Sequence, residues 1–312
     1  MKLIVDNDKQ AGGPGEPSRF MSVKEVSEYL HLNEKKVYAL VREGKIPATK
    51  VTGKWVFPRE LVDRWILESS HGGLLTDRLI VAGSDDPLLR RVVMYRVAEA
   101  GARALVSYSP TGTRLGLELL AASRADVCGL HWGPAEESAM RHPALLERHR
   151  AYRDWVLVRA FEREQGLLVR TGLLEEAGDL GALLAGPRRW AVRQEGSGSQ
   201  RFLVETLARH GLNVEGLRKV ATALSEHEAA ALVAMGEADL APGVRPVATE
   251  FDLEFVATGW EAFDLATHRG VYFRKLFQGF LQALQSDEVQ GLARRLGGYR
   301  LAGSGELVWG AD

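Results

Sequence analysis

Tyr38-Ala39-Leu40-Val41-Arg42-Glu43-Gly44-Lys45-Ile46-Pro47, with Gly53-Lys54-Trp55-Val56-Phe57 shortly after it, reads as a helix end, a stop and a two-stranded hairpin. Val37, Leu40 and Val41 share one helical face, and Asn33 can cap the start of that helix. Gly44 ends it, and Pro47 blocks any continuation. Thr49 to Phe57 holds β-formers divided by Thr52-Gly53, which suits a short hairpin. Upstream, Ser22-Val23-Lys24-Glu25 has the S-x-x-E form of a capping box, with Met21 and Val26 placed to make the hydrophobic staple across it. The helix this predicts carries Val23, Val26, Tyr29 and Leu30 on one face and turns at His31-Leu32. Downstream, residues 59 to 68, with Leu61, Val62, Trp65 and Ile66, close the unit as a third helix.

The order helix, turn, helix, wing, helix resembles the excisionase and MerR-like winged helix-turn-helix family, and the quoted phrase carries the resemblance. The family likeness implies that the second helix enters the major groove of double-stranded DNA and that the wing lies on the adjacent backbone or minor groove. Lys35, Lys36, Tyr38 and Arg42 on the helix and Lys50 and Lys54 on the wing are then the DNA-binding candidates. Between Asn33 and Arg59 seven basic residues stand against two acidic ones, whereas the whole chain has a net charge of −1. The charge is local, so it attracts phosphate where the family places DNA, with counterion release supplying much of the affinity. A solvated helix face is the bland alternative for such a run. The coincidence of the basic excess with the DNA-facing elements favours DNA.

At 312 residues the chain exceeds one ordinary domain and suits a small module plus a larger one. Its 46% hydrophobic and 26% charged content is globular. The apolar stretches are broken by charge well before the roughly 18 residues a membrane span needs, so no membrane association is expected. Asp6 and Asp8 stand where a secretory peptide would be apolar, which predicts a cytoplasmic protein. Cys128 is the one cysteine and, within Asp126-Val127-Cys128-Gly129-Leu130, reads as a buried strand residue rather than a reactive thiol. Residues 1–19, rich in Gly, Pro and charge, are expected to be a disordered leader. Residues 20–69 then form the winged unit, 70–77 with Gly72-Gly73 an interdomain linker, and 78–312 the larger domain.

From Leu79 short apolar runs alternate with helical periods, which predicts an α/β domain of βαβ units and largely parallel sheets. Leu79 to Ala82 is a buried strand leading through Gly83-Ser84-Asp85-Asp86-Pro87 into a helix over about 87 to 100. A strand near 104 to 108, a helix to about Ser123 and a strand from Asp126 to His131 follow. Arg124-Ala125-Asp126-Val127 is echoed by Glu237-Ala238-Asp239-Leu240, as two similarly wound lobes would require. Val81 to Pro87, Arg163-Glu164-Gln165-Gly166-Leu167-Leu168-Val169-Arg170 and Arg193-Gln194-Glu195-Gly196-Ser197-Gly198-Ser199-Gln200-Arg201 together resemble the type II periplasmic-binding-protein-like domain of cytoplasmic bacterial regulators, akin to the molybdate- and tungstate-binding proteins. The likeness implies lobe one at 78–162 and 263–312 and lobe two at 163–262. Helices from Val271 to Leu296, including Phe277, Phe280 and Leu281, would pack back on the first lobe.

Turns that lead into helices offer unpaired N–H groups and partial positive charge to an anion. Ser84, Gly112-Thr113 and Ser197-Gly198-Ser199 lie in three such turns, and the resemblance makes them ligand contacts for an effector such as molybdate or tungstate. Plain helix capping is the other reading of each. His227, beside Glu226 after a short strand, is a further candidate; Trp132 and Trp260 line the cleft or pack in the core, and Arg163, Glu164 and Gln165 serve the cleft or the hinge. Asp85 and Asp86 put negative charge beside Ser84, which opposes a dianion unless they point away or pair with arginine. That leaves room for a ligand carrying an amine or hydroxyls. No zinc-ligand spacing, phosphate-binding Walker loop or dinucleotide fingerprint occurs, so neither metal nor cofactor is expected. The glycines around Ser197 are misplaced for a nucleophile elbow, and no enzyme activity is expected.

The sequence thus predicts a transcriptional regulator that senses a small anion and binds DNA as a homodimer. The alternative is an excisionase-like architectural DNA-binding protein whose large domain mediates assembly or binds a different small metabolite.

Overall fold

The computed structural model describes residues 18–70, 78–101 and 104–310. The expected leader lies outside the described residues up to residue 17, and the expected linker does so from residue 71. The chain divides into two compact units, Met1–Thr76 and Asp77–Asp312.

In the first unit, β1 (Phe20–Met21) precedes α1 (Val23–Tyr29), α2 (Glu34–Arg42), β2 (Thr49–Val51), β3 (Lys54–Pro58) and α3 (Arg59–Ser70). The capping box forms: Glu25 N–H donates to Ser22 Oγ at 3.3 Å and Ser22 N–H to the Glu25 carboxylate at 2.7 Å. Asn33 caps α2 through Lys36 N–H at 2.8 Å. Thr52 and Gly53 both have positive φ, 46° and 86°, the conformation a two-residue hairpin turn between β2 and β3 demands. Met21, Val26, Val37, Ile46, Phe57 and Val62 form the core of this unit. Three expectations are corrected. β1 adds a third strand by pairing with β3, which two residues before a cap do not announce. Tyr29 is 40% exposed because its hydroxyl reaches out to Asp63, and Leu61 is 43% exposed on the outer face of α3. That helix also runs through Ser70, the first residue assigned to the linker.

The second unit is a mixed α/β domain in two lobes. Its first lobe contains β4 (Arg78–Gly83), α4 (Pro87–Ala100), β5 (Leu105–Pro110), α5 (Thr113–Ala121), β6 (Val127–Leu130) and α6 (Ser138–Leu146). β7 (Trp155–Val169) crosses to the second lobe, built from α7 (Leu173–Ala177), α8 (Leu180–Ala185), β8 (Arg189–Arg193), α9 (Gly198–Arg209), β9 (Arg218–Ala223), α10 (Glu226–Ala234), β10 (Leu240–Val244) and α11 (Arg245–Glu250). β11 (Glu254–His268) returns, and α12 (Arg269–Tyr272), α13 (Lys275–Leu284), α14 (Asp287–Leu296), β12 (Tyr299–Arg300) and β13 (Leu307–Gly310) complete the fold.

Parallel strands run β5-β4-β6 in one lobe and β10-β8-β9 in the other. The two sets are joined by β7 and β11, which pair antiparallel from Trp155↔His268 to Val169↔Glu254. The sheets are therefore parallel within lobes and antiparallel along the bridge. Phe277, Phe280 and Leu284 of α13 pack with Leu79, Val81 and Leu88 in the first lobe, each burial contributing roughly 1.5–3 kcal/mol. The echoed Ala-Asp phrases do the same structural task in both lobes. Asp126 N–H donates to Ile80 O (2.8 Å) while Ile80 N–H donates to the Asp126 carboxylate (2.9 Å). Asp239 and Arg189 repeat this exchange at 2.8 Å both ways. Cys128 is fully buried in β6, and burial pushes its thiol pKa well up.

Candidate functional site

β4, α5, β7, β8, β11 and the starts of α9 and α10 bring their polar ends together where the lobes meet. Ser84 and Thr113 are both buried, and their hydroxyls lie 2.8 Å apart. Gly112 precedes α5 without any side-chain cap, so the first N–H groups of that helix have no side chain closing them off. From the second lobe, the turn into α9 meets this helix start: Arg114 N–H donates to Gly196 O at 3.3 Å. Ser197 caps α9, its Oγ accepting from Gln200 N–H at 3.1 Å. Gly198 is required by space, because a Cβ there would lie 2.2 Å from the His131 ring. Ser199 is fully buried, and its hydroxyl donates to the Glu226 carboxylate.

His227 does not join them. α10 starts at Glu226, and successive helical side chains point about 100° apart, so Glu226 faces the buried Ser199 and Arg193 and His227 turns out. Its imidazole is exposed, 3.8 Å from Glu250 and edge-on to Phe251. Sequence reasoning passed over Glu226, which is 1% exposed. Arg193, at the end of β8, reaches the same carboxylate through Nη1 at 2.5 Å and donates from Nε to Ala223 O at 3.1 Å.

The bridge strands carry a second buried cluster. Arg163 and Glu261 are register partners on β7 and β11, joined from Nε to Oε1 at 2.7 Å. Arg163 also donates through Nη1 to Asp85 O (2.8 Å) and Asp86 Oδ2 (3.0 Å). Glu261 holds His131 Nδ1 at 2.8 Å. Burial lowers the His131 pKa below its ordinary value, outweighing the attraction of Glu261, so the ring is neutral at neutral pH. Burial also lifts the Asp86 carboxyl, against the pull of Arg163. Asp86 caps α4 through Leu89 N–H at 2.9 Å, and Asp85 pairs with Arg90 at 2.7 Å. Both carboxylates beside Ser84 are thus engaged by arginine.

A groove of about 370 Å³ opens between the lobes, lined by Gly133 and Glu136, by Gln165 and Trp260 on the bridge, and by Phe202 and Glu205 on α9. Gln165 is 5% exposed and its Nε2 has no hydrogen-bond partner. Trp132 is held between Arg141 and Arg201, 5.0 and 5.5 Å from its ring, with its indole N–H directed to Glu205. Among the described residues no group of three or more His, Cys, Asp or Glu side chains is placed to hold a metal ion.

On the first unit, Lys35, Lys36, Tyr38 and Arg42 are exposed on α2, and Lys50 and Lys54 on the hairpin. Lys50 lies 5.8 Å above the Trp55 ring. Among the described residues no helix is long and apolar enough to cross a membrane.

A small helix-turn-helix unit joined to a two-lobed domain with a polar interlobe cleft defines the class of this protein. Residues 20–70 match the family described as helix-turn-helix domain. Residues 95–285, well over half of the chain, match the PBP superfamily domain, and the chain belongs to that family. No curated protein matches it. Among solved structures, it is similar to a phosphate ABC transporter substrate-binding protein with bound phosphate from Clostridium perfringens. That likeness has 10% identity and a TM-score of 0.50, covering 70% of this chain and 97% of that one. The regulatory domain of CcmR from Synechocystis PCC6803, in complex with 2-PG, is 14% identical with a TM-score of 0.49, covering 66% and 94%. Peb3 from Campylobacter jejuni is 18% identical with a TM-score of 0.47, covering 72% and 98%. At such identities the likeness speaks for the fold alone.

Proposed function

We propose that this chain is a transcriptional regulator that binds a small anion between its lobes and adjusts DNA binding through its winged helix. Molybdate or tungstate is the finer reading. The observation that carries it is the meeting of two helix starts from opposite lobes. Uncapped α5, with Thr113 and Ser84, lies against the turn into α9, with Ser199. Neutral hydroxyls and N–H dipoles gathered at one buried place are suited to an anion. The exposed basic face of α2 and the hairpin supports the DNA half of the reading. A homodimer in the cytoplasm fits it, because one winged helix contacts little DNA and paired half-sites multiply specificity.

Thermal-shift and calorimetric titration with molybdate, tungstate and phosphate test the ligand. A ligand at 100 times its dissociation constant adds about 2.7 kcal/mol to native stability. Absence of heat and of stabilisation with every oxyanion overturns the anion reading. A second reading, a ligand bearing an amine or hydroxyls, is favoured by four buried carboxylates at the lobe junction, Asp85, Asp86, Glu226 and Glu261, against the buried guanidiniums of Arg163 and Arg193. Stabilisation by polyols or amines but not by oxyanions would select it.

A further inference from the structure

One of the donors that suit an anion, the Ser199 hydroxyl, is already engaged by a carboxylate of the chain itself. Asp85, in the turn after β4 of the first lobe, accepts from the backbone N–H groups of Glu226 at 3.0 Å and His227 at 3.4 Å. A carboxylate of the first lobe therefore accepts from two backbone N–H groups at the start of α10 in the second, beside that helix's own Glu226 and Glu228. Asp85 is 4% exposed, so this bond between lobes is shielded from solvent. Glu226 then turns its side chain to the Ser199 hydroxyl and the Arg193 guanidinium. Its second oxygen, Oε2, is buried without any hydrogen-bond partner, and so is Arg193 Nη1, which meets Glu226 Oε1 as an ion pair alone. A carboxylate oxygen in that condition bears an uncompensated desolvation cost, which is what a group occupying another anion's place would show.

We infer that Glu226 is an internal anion that competes with the ligand for Ser199 and Arg193, while Asp85 latches the two lobes together. This rests on the anion reading above. An incoming oxyanion must replace the Glu226 carboxylate, because the two charges repel strongly when both sit in one buried site. The exchange leaves the number of donors on Ser199 and Arg193 unchanged, and the Glu226 carboxylate gives up its place to the ligand. Glu226 thereby sets how strong an anion the cleft responds to: a weakly held ion does not displace it, and one with several acceptor oxygens does.

Two measurements on the full chain test this. Calorimetry with tungstate and with inorganic phosphate compares the wild type with Glu226→Gln, which keeps the side-chain shape and removes the charge. The inference expects the variant to bind at least about tenfold more tightly, the factor that corresponds to about 1.4 kcal/mol. Hydrogen exchange at the Glu226 and His227 amides, without any ligand, compares the wild type with Asp85→Ala and is expected to be at least about tenfold faster in the variant. If the wild type binds and Glu226→Gln binds no more tightly, competition is overturned while the anion reading stands. If neither protein binds either anion, the anion reading and the competition both fall. Unchanged exchange in Asp85→Ala overturns the latch whatever the calorimetry gives.

Discussion

Arg163 and Glu261 stand opposite each other on the two strands that bridge the lobes, and their side chains bond at 2.7 Å with neither reaching solvent. Asp86 and His131 extend the pair into a network that joins the start of α4 and the residue after β6 to β7 and β11. Arg163 lies 4.9 Å above the Phe263 ring, so the guanidinium is also packed.

Removing Arg163 strands two carboxylates in a buried place. Arg163→Ala is expected to destabilise the second domain by about 3–5 kcal/mol, the range for breaking one partner out of a buried ion pair. Urea unfolding followed by tryptophan fluorescence reads this. A loss below about 1 kcal/mol would mean that water enters and solvates Asp86 and Glu261.

The buried imidazole predicts a pH dependence. Burial holds the folded His131 pKa below its ordinary value of 6.5, so near and below that pH the unfolded chain binds more protons than the folded one. Stability then rises with pH through this window and falls as pH drops from 6.5 toward the folded value. For Glu261 burial alone would raise the pKa, but His131 and Arg163 more than reverse this, so it adds a loss of the same sign at lower pH. Thermal unfolding of the wild type should give a lower midpoint at pH ~5.5 than at pH ~7.5, with a smaller drop in His131→Gln. Equal drops in both proteins would remove His131 from the effect.

Two serines in one helix start separate capping from binding. Ser197→Ala removes the cap on Gln200 N–H and should cost about 1 kcal/mol of stability. Ser199→Ala removes a donor from the cleft and should weaken an anionic ligand by about 1.5–3 kcal/mol. Paired denaturation and calorimetry on both variants check this. Loss of ligand affinity in Ser197→Ala with none in Ser199→Ala would reverse the assignment.

On the DNA side, Lys36→Ala and Arg42→Ala are expected to weaken duplex binding and flatten its salt dependence without unfolding the unit, because both side chains are exposed and outside its core. Gel-shift titrations at several salt concentrations decide it, and unchanged affinity for both variants would take α2 out of the interface.

Much of this was legible in the chain. Ser22-x-x-Glu25, Asn33 and Thr52-Gly53 are local signals, with the relevant contact within three residues or in a single turn, and the structure realises all three. The repeated Ala-Asp phrase marked two wound halves, and Asp126 and Asp239 make the same backbone exchange in each. What the sequence hid is long-range. Glu226 and Asp85 are 141 residues apart, and Arg163 and Glu261 are 98 apart, and a buried charge with a distant partner looks in sequence like any surface charge. The place after a short strand points to the pair Glu226-His227, and nothing local says which of two adjacent residues faces inward. Ser225 caps α10, which puts both Glu226 and His227 in the first turn, and only the packing of the helix decides which of them is buried.

We propose that ligand in the cleft and DNA on the winged helix are coupled. The direct measurement is the affinity of the full chain for a duplex selected by the protein itself, with and without saturating tungstate, the ligand having first been shown to bind. Coupling predicts a change of about 5- to 150-fold, in either direction, with the same factor appearing in the ligand's affinity when DNA is present. Equal DNA affinities with the cleft filled and unfilled would contradict it.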